Sequence, residues 1–110
     1  MTKIKAEAKH IRISPRKLRL VARAIKGQSP QKAIEYLRFI NKDAARPLIK
    51  VIESAIANAK NNLGFKPEIL KLKEIQISEG PTLKRWRAVS RGRAHRIMKR
   101  SSHIKVILED

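Results

Sequence analysis

The chain has no cysteine among its 110 residues, which removes disulfides, thiolate metal sites and thiol nucleophiles together. Stability has to come from packing. Aromatic residues make up only 4% of the chain and glycine supplies four positions, none of them forming a Gly-rich phosphate loop. No apolar run approaches the roughly 18 residues needed to span a bilayer. Met1-Thr2-Lys3-Ile4-Lys5 is not followed by the apolar segment of a signal peptide. The sequence therefore reads as soluble, unexported and cytoplasmic. Acidic residues are scarce, with nine against 27 Lys and Arg, for a formal charge of +18.

The charge is unevenly placed. Residues 1–26 carry nine cations and one acid, residues 27–83 nine and six, and residues 84–110 nine and two. The middle is thus a nearly conventional domain body between two basic ends. From Lys84 to Lys105 there is no acid, and Lys84, Arg85, Arg87, Arg91, Arg93, Arg96, Lys99, Arg100 and Lys105 accumulate. Their mutual repulsion disfavours a compact free state, and a polyanion reverses that penalty because each neutralised phosphate releases condensed counterions. Six of the nine are Arg, whose planar fork suits phosphate and stacks on bases. A membrane-surface helix would need a continuous apolar face, which this stretch lacks.

The apolar pattern defines the elements. Ile4, Ala6 and Ala8 alternate with polar residues as in a half-buried strand, and the phase change to Ile11 and Ile13 after His10 predicts a bulge or bend. Ser14-Pro15 starts a helix with Leu18, Val21 and Ile25 on one face, and Gly27 stops it. Ser29-Pro30 repeats the signal for a shorter helix through Ala33, Ile34, Leu37 and Ile40. Leu48, Val51, Ile52, Ala55, Ile56 and Ala59 form the stripe of a third helix ending at Gly64, with Asp43 as its expected cap. Asn61-Asn62 reads as its fraying end. Period two returns at Leu70 and Leu72, then slips to Ile75 and Ile77, which predicts a bulge near Lys73 and Glu74. Ile104, Val106 and Leu108 alternate again, and these last two strands are expected to pair.

The connection between them, residues 80–103, is far longer than an ordinary hairpin loop and holds too few apolar residues for a second core. Two extended arms of about ten residues, meeting near Arg91-Gly92-Arg93, would reach about 30 Å at roughly 3.3 Å per residue. The expectation is an α+β fold: a small three-stranded antiparallel sheet packed with three helices, plus a long basic β-hairpin extension. Residues 1–110 form one domain on this reading, a globular body of 1–80 and 102–110 with the hairpin at 81–101. A monomer is expected when free, since one core accounts for the apolar positions.

Ser14, Arg16, Lys17, Arg19 and Arg23 can present a helix N-terminus and basic side chains to phosphate, or simply form a capped helix with a solvated face. Gly80-Pro81-Thr82 reads as a change of direction that aims the extension. Trp86, the only tryptophan, suits either base stacking between cations or anchoring of the hairpin base. Gly92 supplies backbone freedom at the tip or is a plain turn glycine. Ser101-Ser102-His103 has no partner acid for nucleophilic catalysis, and His10, His95 and His103 lack metal-ligand spacing. No enzyme activity, metal or cofactor is expected.

Several segments resemble the bacterial-type ribosomal large-subunit protein L-twenty-two family. They are Ile11-Arg12-Ile13-Ser14-Pro15-Arg16-Lys17-Leu18-Arg19-Leu20-Val21, Ser54-Ala55-Ile56-Ala57-Asn58-Ala59, Glu79-Gly80-Pro81-Thr82-Leu83-Lys84-Arg85, Gly92-Arg93-Ala94-His95-Arg96-Ile97 and Ser101-Ser102-His103-Ile104. They occur in the family's order across nearly the whole chain. The resemblance implies a body on the outer surface of the large subunit and a hairpin that lines the polypeptide exit tunnel. It implies contact of Lys84, Arg85, Arg87, Arg91, Arg93, Arg96, Lys99 and Arg100 with large-subunit ribosomal RNA, and a tip of Ser90, Arg91, Gly92, Arg93 and Ala94 at the tunnel wall. Other large-subunit proteins and the nascent polypeptide are the further partners it implies, with a role in subunit assembly. Trp86 stands where the family more often has Phe. Two other classes fit the charge: a free architectural protein that bends duplex DNA, and a cationic membrane-active protein.

Overall fold

The computed structural model describes residues 3–40, 42–64, 66, 69–80, 83–88, 94–99 and 101–109, with 83–88 and 94–99 described by backbone and pairing. Strand β1 (Lys3–Ile11) leads into helices α1 (Pro15–Ile25), α2 (Pro30–Ile40) and α3 (Ala45–Leu63). Strands β2 (Lys71–Glu79), β3 (Leu83–Ala88), β4 (Ala94–Lys99) and β5 (Ser102–Glu109) follow. The order β1-β5-β2 makes an antiparallel three-stranded sheet, and β3 and β4 pair separately as a two-stranded ribbon. This is the expected α+β arrangement.

The slips in hydrophobic phase are real bulges. Pairing of β1 with β5 is irregular between Ala8 and Ile11, where His10 takes a positive φ of 59°. Pairing of β2 with β5 shifts between Leu72 and Glu74, so that Leu72 faces Leu108 and Ile75 faces Val106. The extra residue lets Leu72, Ile75 and Ile77 all turn toward the helices despite their changed parity. Ile104, Val106 and Leu108 of the central strand are essentially inaccessible. They meet Ile4 and Ala6 from one edge and Leu72 from the other, under a layer built from Leu18, Ile25, Leu37, Leu48 and Ile52. The long α3 crosses β1 and β5, α1 lies against β2, and α2 packs on α3.

Helix α1 starts at Ser14-Pro15 as expected, while its capping and the start of α3 depart from expectation. Ser14 has the extended backbone of a cap but its side chain makes no capping bond, whereas Ser29 accepts from the Lys32 N–H at 3.4 Å. Helix α3 starts at Ala45, two residues beyond the expected Asp43 cap, with Ala44 at the boundary and no side-chain cap. Pro47 then occupies the third helical position, where its missing N–H would have had no intrahelical partner. At the other end Gly64 adopts φ 70° and its N–H returns to the Ala59 and Lys60 carbonyls, so this glycine closes the helix where the sequence placed its end.

The base of the ribbon is tightly joined to the body. Gly80 donates its N–H to the Ser101 carbonyl at 3.0 Å, and a β-carbon at Gly80 would lie 2.6 Å from Ser101 Oγ. Ser102 is fully buried and its hydroxyl donates to the Ile13 carbonyl at 2.5 Å. His10 and His103, 93 positions apart, meet edge to face at 5.1 Å, and the His10 N–H donates to His103 Nδ1.

Candidate nucleic-acid interface

Helix α1 carries no acid and exposes Arg16, Lys17, Arg19 and Arg23, with Lys26 exposed at its C-cap. Arg16, Arg19, Arg23 and Lys26 recur at spacings of three and four residues, so they form a stripe about 15 Å long at ~1.5 Å per residue. The opposite face buries Leu18, Val21, Ala22 and Ile25, which fixes the helix and hence the direction of the stripe. Arg19 Nη2 donates to the Ile77 carbonyl of β2 at 2.9 Å. A guanidinium has five N–H donors, so this bond orients Arg19 and leaves donors for a second partner. Arg19, Arg23 and Lys26 line a shallow groove against Glu74 and Gln76. The sequence reading included Arg19 and Arg23 but omitted Lys26, the next member of the same stripe.

Ser14 and Lys17 lie elsewhere, in a groove shared with Arg12, Lys42 and Asp43. The sequence-selected residues therefore divide between two surfaces of one helix. The starts of α1 and α3 flank this second groove, with no acid in either first turn. Their amides and the macrodipoles behind them favour an anion there. Arg12 and Lys42 were missed because each sits outside a helical pattern, in the turn after β1 and before α3.

In the ribbon, Leu83 pairs with Lys99, Lys84 with Met98, Arg85 with Ile97, Trp86 with Arg96, Arg87 with His95 and Ala88 with Ala94. No Lys or Arg of these strands faces another across the pairing, which avoids the destabilising juxtaposition of like charges. Each paired arm covers six described residues, and the remainder of the two expected ten-residue arms falls outside the described residues. Ser90, Arg91, Gly92, Arg93 and Arg100 lie outside the described residues, as do Pro81 and Thr82. Among the described residues, ion pairs join Arg38 to Glu53, Lys73 to Glu109 and Lys105 to Glu7. None engages the α1 stripe.

An α+β core holding surfaces on which cations outnumber acids defines a basic structural protein suited to a polyanion. Residues 6–109 match the family described as Ribosomal protein L22p/L17e, and the chain belongs to that family. It is 48% identical over 106 residues to the large ribosomal subunit protein uL22 of Mycoplasma capricolum, covering 96% of both chains. It is 52% identical over 105 residues to the uL22 of Rubrobacter xylanophilus, covering 96% of this chain and 83% of that one. Members of this family are structural proteins and not enzymes.

Proposed function

We propose that the chain is a structural constituent of the large ribosomal subunit, where it associates with ribosomal RNA and neighbouring ribosomal proteins. The observation that carries this is the family match over residues 6–109. On this reading the chain has two parts: a body of residues 1–80 and 102–110, and a hairpin of residues 81–101. The body packs against RNA through Ser14, Arg16, Lys17, Arg19 and Arg23. The hairpin crosslinks RNA segments through Lys84, Arg85, Trp86, Arg87, Arg91, Arg93, Arg96, Lys99 and Arg100. Its tip, Ser90 to Ala94, reaches the wall of the exit tunnel and faces the nascent polypeptide. Support comes from the absence of acids between residues 84 and 105 and from a pairing that keeps Lys and Arg apart across the ribbon. Cations brought close to many phosphates remove repulsion that would oppose RNA compaction, which is how such a protein promotes subunit assembly.

The first test is sedimentation of the tagged chain through a gradient after a high-salt wash, since weak electrostatic binders dissociate under those conditions. Migration with the large subunit is expected. Release to the top of the gradient would sink this reading in favour of a free nucleic-acid binder. Deleting residues 85–98 tests the division into two parts. The shortened chain should unfold cooperatively in urea yet enter large subunits poorly, and loss of the cooperative transition would contradict the division.

A further inference from the structure

Beside the groove of Ser14 and Lys17 lies a second one, of about 470 Å³, between the end of β1 and the start of α3. The two share Arg12, Ile13 and Asp43. Its floor is apolar: Ile11, Ile13 and Pro47 are half-buried and Val51 is buried. Its rim carries the exposed cations Arg12, Arg46 and Lys50. None of the three belongs to an ion pair among the described residues. Of the two acids at the groove, Glu7 pairs with Lys105 at 3.7 Å, leaving Asp43 as the one local counter-charge. The rim is therefore net positive over a floor that gains nothing from phosphate.

Those two demands select one kind of occupant. Duplex RNA offers phosphates, 2′-hydroxyls and base edges but keeps its base faces stacked inside, so it can satisfy the rim and not the floor. An unpaired nucleotide satisfies both, with its base face on Ile11, Ile13 and Pro47 and its flanking phosphates on Arg12, Arg46 and Lys50. The volume lies within the roughly 300–1,000 Å³ typical of small-molecule pockets, the size class of one base with its sugar. We infer that this groove seats a single unstacked nucleotide of ribosomal RNA, making it a station on the body distinct from the phosphate-binding stripe of α1 and from the ribbon. The inference rests on the ribosomal reading above. The spacing of Arg46 and Lys50, four residues apart, was the sequence signal for part of this surface. It is indistinguishable there from a solvated helix face, because half of the apolar floor, Ile11 and Ile13, comes from the end of β1 and the turn after it, more than 30 residues earlier.

Ser54 is exposed at the groove and outside the core, so it can carry a photocrosslinking side chain without disturbing packing. The test uses large subunits purified from cells whose only copy is the full chain bearing p-benzoylphenylalanine at Ser54 or, separately, at Arg87. The Ser54 probe is expected to crosslink to RNA at one unpaired nucleotide, with pairing assigned by chemical probing. Adding Arg46→Glu and Lys50→Glu should abolish that crosslink while the Arg87 crosslink persists. A Ser54 crosslink to a protein, to a base-paired stretch, or to nothing while the Arg87 probe still labels RNA overturns the nucleotide site and leaves the ribosomal reading intact. If the chain is absent from the particles, or neither probe labels RNA, the ribosomal-RNA reading fails and takes this site with it. Unchanged crosslinking in the double variant removes the assigned role of the rim cations.

Discussion

Ser102 and Ser101 are the two buried polar residues among the described part of the chain, and the Ser102 hydroxyl ties β5 to the turn before α1. Removing a buried donor leaves its acceptor without a partner, a loss worth roughly 1–3 kcal/mol. Ser102→Ala should therefore lower stability in urea by about 1–2 kcal/mol, because the Ile13 carbonyl is only partly buried and water can replace part of the bond. A neutral result would show that the bond is strained or already exchanged with water. The Ser101-Ser102-His103 run looked inert in the sequence as catalysis, and its role is architectural. That role was not legible, because Ile13 lies 89 positions from Ser102 and His10 lies 93 from His103. Only the pairing of β1 with β5 brings them together. Ser14 and Ser29 show the same limit locally: both precede proline, yet one caps and the other does not.

Strands and helices were mostly legible because burial forces a period. The two bulges showed themselves as slips of hydrophobic phase, and the start of α3 did not, because Ala44 and Ala45 are buried and carry no capping group to mark the boundary. The β2 bulge leads to an unusual expectation. Glu74 already faces Ile107 and Leu72 already faces Leu108, so deleting Lys73 makes the alternation regular and preserves every pairing beyond it. That deletion should reduce stability by about 1 kcal/mol, through loss of the Lys73–Glu109 ion pair, which is exposed at its Lys end and mostly covered at its Glu end. Deleting Gln76 instead should cost considerably more, since it turns Ile77 to the solvent face. Thermal denaturation of the two deletion variants compares them directly. Equal losses would mean that the bulge residue is itself required.

For the whole molecule the dominant quantity is charge. With +18 on 110 residues and three ion pairs among the described part, the free chain is destabilised by its own field. Its melting temperature should rise by several degrees between about 20 mM and about 200 mM NaCl as the screening length shortens, whereas its affinity for RNA should fall steeply over the same range. Calorimetry and filter binding measure the two trends. A melting temperature that stays flat would mean the cations are held far enough apart to be independent. The nucleic-acid class of partner was legible from the acid-free run, but the division of body cations between three grooves was not, because it depends on which helix face and strand end come together in space.

The order of strands in the sheet also bears on how the protein is made. The centre of the sheet is β5, flanked by β1 and β2, and β5 follows the ribbon along the chain. During synthesis the two outer strands therefore emerge with no strand between them to pair with, and Leu48 and Ile52 of α3 have no Ile104, Val106 or Leu108 to cover. Domains fold as units once their contacts are available, so the body cannot complete its core until the basic ribbon has already been released. A chain interrupted anywhere before residue 102 has no native sheet with which to compete for a place in an assembly. Completion of synthesis and competence to assemble are thus coupled by the position of one strand.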